Sequence, residues 1–487
     1  MESQLSLEVL PQEVITHIAS YLGVQDILAC CTTSTSMRHA FNDNFIWKKL
    51  CNLKLVDHLS KHRSLDDPYF NDSEKVSSSQ TLLCHWRKLY IMQANLLRNL
   101  RQGRYEKEQI AVGPSNDVYQ GTRVEFCESG EYLLYHSLSV VRDKMVDQIW
   151  DIKTVPSLHS SLNFNFNPYM DLDVMDGYDI DTYQMIGNRL VVSQCNVVQI
   201  YNLSLISSSD IKLEQTFVLD KSEEISKSLV SCKDNSFAQD QYFEVGVGVE
   251  STVCFSFFIG IILNFEEFPN PILHIWNILN GKKVKEESLP AQNIKIVDVK
   301  LITCKLGKDL VVQLRVNGHR YMYHYYGYNL LKLEFSSFSV KLNYCDFLIF
   351  ANDRVVGVGP RKLYLYDYKT SNKVAIKKCD HEILKNTLVV LKNNLLYGTF
   401  DSTIFVVKLG SFDVVNTIKL GFTLYSLQVM SERFIVINSS NSEVWEIGET
   451  AEKLFKFPVD GSFVGSNQYC TKVVLEKGNN LYFLRFW

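Results

Sequence analysis

No apolar run in this 487-residue sequence is long enough to cross a bilayer, which takes about 20 residues. The most apolar window, Val253–Leu263, falls well short of that and reads as a strand buried in a sheet. Met1 to Glu8 has no charged stretch leading into an apolar one, so no secretory leader is expected. The 12 cysteines are scattered, mostly in apolar runs such as the one around Cys254, and no Cys-x-x-Cys pair occurs. That pattern points to reduced thiols in cytoplasm or nucleus rather than to a disulfide framework. Neither sign of charge is in excess: 50 Lys and Arg against 54 Asp and Glu give a formal net charge of −4. A broad nucleic-acid-binding surface would need a basic excess and is not expected.

Catalytic signatures are missing as well. There is no His-Glu-x-x-His, Gly-x-Ser-x-Gly or kinase motif set. The glycine pairs of Gly246-Val247-Gly248 and Gly357-Val358-Gly359-Pro360 are followed neither by Lys-Ser/Thr nor by a helix, and read as strand bends. Asp171, Asp173, Asp176, Asp179 and Asp181 imitate a calcium loop in the wrong register. Position six from Asp171 is Asp176 where glycine is needed, and position twelve is Thr182 where glutamate is needed. An acidic surface loop is expected there. Cys379-x-His381-Glu382 has no second half at metal-ligand spacing and reads as a structural loop. No metal, cofactor or catalytic centre is expected.

What is present divides by pattern. The length exceeds one ordinary core, so at least two folding units are expected. Hydrophobic residues at 46% and charged residues at 21% are ordinary for a globular chain, while 12% aromatics lean toward β structure. Residues 1–52 carry helical spacing. Pro11 suits the first turn of a helix, with Val14, Ile18 and Tyr21/Leu22 along one apolar stripe and Gly23 as a stop. Asp26 is placed as the N-cap of a second helix bearing Ile27, Leu28, Cys30 and Cys31. A third segment holds Met37, Arg38 and Phe41, and a fourth, after Asn44, holds Ile46, Trp47 and Leu50. Four short helices cannot bury this much apolar surface on one another, so a partner surface is expected.

Leu10-Pro11-x-Glu13-Val14, Ile18-x-x-Tyr21-Leu22, Asp26-Ile27-Leu28, Arg38, Asn42-Asp43 and Trp47-Lys48-Lys49-Leu50-Cys51 together resemble an F-box. The resemblance implies docking onto a Skp-family adaptor and, through it, a cullin–RING assembly. By position it assigns Leu10, Pro11, Val14, Ile18, Leu22, Ile27, Leu28 and Trp47 to that interface. Where the family usually has a Val-Cys-Arg-like run, this chain has Thr33-Ser34-Thr35. The competing reading is a helical domain of no particular family.

Residues 53–80 turn polar, with Asn71-Asp72-Ser73-Glu74 and Ser77-Ser78-Ser79, and read as an exposed or partly disordered connection. Residues 81–103 return to helical spacing through Leu82, Trp86, Leu89, Gln93, Leu96/Leu97 and Leu100. A helix over 81–102 would span about 33 Å, with Gly103 as its stop. It would serve as a stiff spacer, as a packing helix, or as both. Its basic residues read as a solvated face.

From 104 to 487 the helical period vanishes and one phrase recurs: an alternating aliphatic/aromatic strand, a polar residue, a turn, another strand. Aligning Trp150, Tyr201, Trp276, Tyr326, Tyr366, Val407, Trp445 and Leu484 gives steps of 51, 75, 50, 40, 41, 38 and 39 residues. Repeats of about 40–45 residues indicate four-stranded propeller blades. Eight copies favour eight blades, with seven as the alternative. The sequence given stops after the third strand of the final copy, so Glu108–Val112 is expected to supply the missing fourth strand and cover that edge. The repeats resemble the WD-repeat family in degenerate form, since only Trp150-Asp151 is a literal Trp-Asp pair.

The fold expected is therefore multidomain: an all-α F-box and linker helix, then an all-β propeller. Similarity to F-box/WD-repeat adaptors implies a non-catalytic substrate-recognition subunit of an SCF-type ubiquitin ligase. It also implies a protein target, in the family often a short and sometimes phosphorylated motif. No nucleic-acid or membrane partner is expected, and no propeller residue is assigned to the target. The rivals are an F-box scaffold without ubiquitin transfer and a propeller enzyme, which would need His and acidic residues converging in its central channel.

Overall fold

The computed structural model describes residues 10–62, 83–112 and most of 119–486, the longest stretches outside it being 162–181, 203–211 and 219–246. The chain divides into two compact units, Met1–Lys107 with Leu484–Trp487, and Glu108–Phe483.

The first unit is helical among its described residues: α1 (Gln12–Ala19), α2 (Val24–Thr33), α3 (Thr35–Phe41), α4 (Asn44–Leu50), α5 (Leu53–His62) and α6 (His85–Gln102). Polar side chains fix where these short helices begin. Ser34 Oγ accepts from Met37 N at 3.1 Å, and Asp43 accepts from Phe45 N and Ile46 N at 2.8 and 3.3 Å. Asp26 is not the N-cap expected of it. Gly23 is, and Asp26 lies inside the first turn, where its carboxylate accepts from Gly23 N at 3.0 Å. A carboxylate there satisfies an orphan donor and meets the positive end of the helix dipole.

The polar connection expected at 53–80 opens instead on α5. Leu55, Val56 and Leu59 share one face, are buried, and pack on α6. Asn52 Oδ1 caps this helix by accepting from Leu55 N at 3.3 Å. Residues 63–80 lie outside the described residues. The connecting helix starts at His85, four residues later than expected, and ends at Gln102. Gly103 adopts φ 59°, the left-handed region that costs glycine nothing. The backbone NH groups of Gly103 and Arg104 then donate to Leu100 O and Asn99 O. Within the same unit Asn99 Nδ2 donates to Phe486 O at 3.0 Å, and Tyr105 meets the Phe486 ring edge-on.

In the second unit the described strands form eight four-stranded sheets. Seven are built from strands consecutive in sequence, pairing first to second to third to fourth. Every aligned copy of the repeated phrase is the third strand of its sheet, from Lys144–Asp151 to Asn480–Arg485. First strands pack together between the first and second, second and third, third and fourth, and sixth and seventh sheets, and Ser462–Ser466 of the last sheet packs against Tyr119–Phe126 of the first. The series thus closes on itself as a β-propeller. Glu106–Ala111 forms the outer strand of the last sheet beside Asn480–Arg485, and Val112 N continues the ladder to Asn479 O at 2.9 Å.

A shared irregularity explains why the third strand carries the repeat. Pairing with the fourth strand slips at Ile149/Trp150, Ile200/Tyr201, Ile275/Trp276, Tyr326/Tyr328, Leu365/Tyr366, Val406/Val407 and Val444/Trp445. These are the aligned positions, and such a bulge adds local twist. In the fourth sheet the slip passes Gly327, where a Cβ would strike Ser336 Oγ and come within 2.7 Å of the Tyr368 hydroxyl. Two residues before the aromatic, on the same face of the strand, several sheets bury a polar side chain. Trp150 Nε1 donates to Gln148 Oε1 at 3.2 Å, the Tyr201 hydroxyl to Gln199 Oε1 at 2.6 Å, and Trp445 Nε1 to Glu443 Oε2 at 3.1 Å. His274 stacks on Trp276.

Val253–Leu263 falls across two paired strands of the third sheet, Val247–Cys254 and Phe257–Asn264. Gly248 lies in the first of these and Gly357 and Gly359 in Arg354–Gly359, whereas the Asp171–Asp181 run and Gly246 lie outside the described residues, with Thr182 opening the strand Thr182–Ile186.

Candidate functional site

The helices of the first unit enclose a core of Ile15, Ala19, Ile27, Cys31, Met37, Phe41, Ile46 and Trp47. Trp47 is its anchor. It is 1% exposed, donates from Nε1 to Phe41 O at 2.8 Å, and contacts both the Tyr90 ring and the Arg87 guanidinium. Ile27 is fully buried. Both were assigned to a partner interface, and neither has surface to offer one. Their apolar character serves the domain's own core.

The other six assigned residues keep surface. Pro11 is exposed and Val14 is 40% exposed, while Leu10, Ile18, Leu22 and Leu28 are half-buried. The geometry of α1 accounts for this. Ile15 and Ala19, four apart, point into the core. Val14, Ile18 and Tyr21 follow at spacings of four and three on another side, so the helix is apolar on two faces. Tyr21, in the turn after α1, is 77% exposed, its hydroxyl 3.4 Å from His17 Nε2. Phe45, at the start of α4, is 72% exposed. It lies off the buried Ile46–Trp47 side of that helix. A contiguous exposed apolar surface of this kind is the sort that a partner covers.

Thr33-Ser34-Thr35 has a local role. Ser34 starts α3, Thr33 Oγ1 donates to Cys30 O at 2.8 Å, and Arg38 Nε donates to Cys31 O at 3.2 Å across the turn. The thiols nearby are not activated. Burial raises Cys31 and Cys84, and pushes Cys51 up to about 11, keeping all three protonated at neutral pH.

In the propeller, burial raises the Cys379 thiol, which sits 3.7 Å from the Tyr397 hydroxyl. His381 Nε2 lies 3.9 Å from Asp401 Oδ2. Among the described residues no three His, Cys, Asp or Glu side chains converge to hold a metal ion, and no helix is long and apolar enough to cross a membrane.

Residues 7–53 match the F-box-like family model. No curated protein sequence matches this one. Among solved structures, the computationally designed Ika8 protein is similar at 12% identity and a TM-score of 0.47, over 78% of this chain and 100% of that one. The Dos1 propeller matches at 10% identity and 0.46, covering 78% and 95%. The C-terminal WD40 domain of Sif2 matches at 9% and 0.44, covering 77% and 98%.

Proposed function

We propose that this chain, an F-box-like domain followed by a β-propeller, is the non-catalytic substrate-recognition subunit of an SCF-type ubiquitin ligase. In this reading the F-box docks to a Skp-family adaptor and through it to a cullin. The propeller holds a protein target, in the cytoplasm or nucleus. Catalysis is by proximity: a target lysine is kept at high effective concentration near the charged ubiquitin carrier.

The observation that carries the reading is the second apolar face of α1. The core of the helical unit is complete without Val14, Ile18 and Tyr21, yet these side chains stay at the surface of the segment that matches the F-box-like model. A docking helix needs such a face; a self-contained bundle does not. Because the domain's own fold does not use these residues, adaptor binding and stability should separate.

Co-purification tests this. The full chain should bring down a Skp-family adaptor together with a cullin, and Val14→Glu with Tyr21→Glu should lose both while the protein stays folded. Recovery of adaptor without cullin would favour a scaffold that transfers no ubiquitin. Undiminished adaptor binding by the double variant would refute the reading.

A further inference from the structure

The stretch from Asn44 to Val56 carries Lys48, Lys49 and Lys54 and no acidic residue. The stretch from Leu83 to Tyr105 holds five Arg and Lys and again no acidic residue. Hydrogen bonds join the two. Trp86 N donates to Asn44 Oδ1 at 3.2 Å, and Asn52 N donates to Gln93 Oε1 at 2.8 Å. The acids that bracket the first stretch are Asp43 and Asp57. Asp43 is engaged as the cap of α4, its carboxylate accepting from Phe45 N and Ile46 N, and Asp57 lies a turn beyond Lys54 on α5. A chain of net charge −4 thus gathers cations where α4 meets α6.

The exposed part of this face has a defined make-up. Lys48 and Lys49 follow Phe45 by three and four residues, so the three share the outer side of α4, away from the buried Ile46 and Trp47. Phe45 is 72% exposed and both lysines are exposed. Among the described residues no ion pair engages either lysine. Lys48 Nζ lies 5.2 Å from the centre of the half-buried Trp86 ring, and the exposed His85 meets that ring edge-on. A bare ring beside two unpaired cations suits a partner that covers the ring and supplies carboxylates at its margin.

Position indicates which partner. Phe45, Lys48 and Lys49 belong to the segment 7–53 that matches the F-box-like model. Helix α1 packs on α4, and Gln12 Nε2 at the start of α1 donates to Ala40 O at 3.0 Å, just ahead of α4. The docking helix and the basic face therefore adjoin. We propose that an acidic segment of the adaptor covers Phe45 and pairs with Lys48 and Lys49. The inference rests on the adaptor reading and adds the charge of the surface that docks. Charges at the margin of an interface act mainly on the rate of association and its salt dependence, whereas a covered ring acts on the rate of dissociation.

Surface plasmon resonance with a purified Skp-family adaptor and the full chain, at low and at high salt, tests this. Wild-type association should slow as salt rises. Lys48→Glu with Lys49→Glu should slow association about tenfold or more and abolish that salt dependence, while Lys48→Arg with Lys49→Arg should leave both unchanged. Phe45→Ala should instead speed dissociation about tenfold. All three side chains are exposed, so melting curves should match the wild type and separate loss of docking from loss of fold. Replacing the adaptor's acidic residues singly should find one whose loss is not additive with that of Lys48 or Lys49. A charge-reversed variant that associates as fast as the wild type, or strict additivity at every acidic residue, would overturn the inference and leave the adaptor reading standing. So would RNA or anionic vesicles held through these lysines while adaptor binding ignores them. A wild type that binds no adaptor at either salt would sink the adaptor reading itself.

Discussion

Trp47 and Val14 are both apolar residues on short helices of one domain, yet one is buried and the other exposed. Trp47 fills the centre with its NH satisfied by Phe41 O, so Trp47→Ala would leave a large void and an orphaned carbonyl. It should cost about 3–5 kcal/mol, seen as a lower urea midpoint, with adaptor binding lost through unfolding. Val14→Glu should shift stability by less than about 1 kcal/mol and abolish adaptor capture. Equal destabilisation by the two would mean that the α1 surface belongs to the core after all. Charged residues of the propeller turns act through pH. Asp367 accepts from Thr370 N at 3.0 Å and from the Thr370 hydroxyl, and Arg354 pairs with it at 2.9 Å. These contacts, the Thr370 backbone bond first, depress its pKa, and the hydroxyls of Thr399 and Thr403 depress that of Asp401. A carboxylate depressed by folding contributes stability above its unfolded pKa of about 4, which is lost as pH falls through the lower folded value. Propeller melting should therefore hold from pH 7 to 5 and begin to fall below about 4. In Asp367→Asn part of that drop should vanish, and a pH profile unchanged by the substitution would show that this turn does not contribute.

Whole elements show what a sequence pattern can and cannot carry. The third strands were legible because three signals coincide in each: alternation of period two, an aromatic or aliphatic residue at the bulge, and a polar residue that turns the chain. Asn329 and Asp367 do the turning by accepting from Lys332 N and Lys369 N. The pairing of Gln199 with the Tyr201 hydroxyl is such a strand's private arrangement, and burial pushes that phenol up to about 12. Gln199→Leu should cost about 1–2 kcal/mol, and adding Tyr201→Phe should restore part of it in a double-mutant cycle. Strict additivity would mean the two side chains are uncoupled. Helix α5 was not legible, because Leu55, Val56 and Leu59 are few among Lys54, Asp57, His58, Ser60 and Lys61. Its stability comes from packing on α6, which no local count reveals. The burial of the residues proposed to dock a partner was half legible for a related reason. A helix facing its own core and a helix facing a partner demand the same residue types, so Ile27 and Trp47 could not be told from Val14 until burial separated them.

Closure of the propeller depends on chain segments far apart in sequence. The last sheet takes its outer strand from Glu106–Ala111, more than three hundred residues before its other three. Without that strand, Asn480–Arg485 would present an unpaired row of backbone donors and acceptors, and an open edge recruits other chains. Two bonds hold the splice from either side of residue 110: Gln109 Nε2 to Asn480 Oδ1 at 3.1 Å, and Val112 N to Asn479 O at 2.9 Å. Ile110 adds apolar contact with the cluster that joins the last sheet to the first, including Leu133, Trp150, Val474 and Phe483. Proline at position 110 would remove a backbone donor and fix φ near −65°, which an interior strand position does not tolerate. Ile110→Pro should therefore lower the urea midpoint by the equivalent of about 2–4 kcal/mol, broaden the transition as the ring opens, and raise light scattering with protein concentration. Ile110→Val removes only a methylene and should cost about 0.5–1.5 kcal/mol without scattering. If Ile110→Pro unfolded as sharply as the wild type and stayed clear, the ring would be held by sheet-to-sheet packing alone and the amino-terminal strand would be dispensable to it.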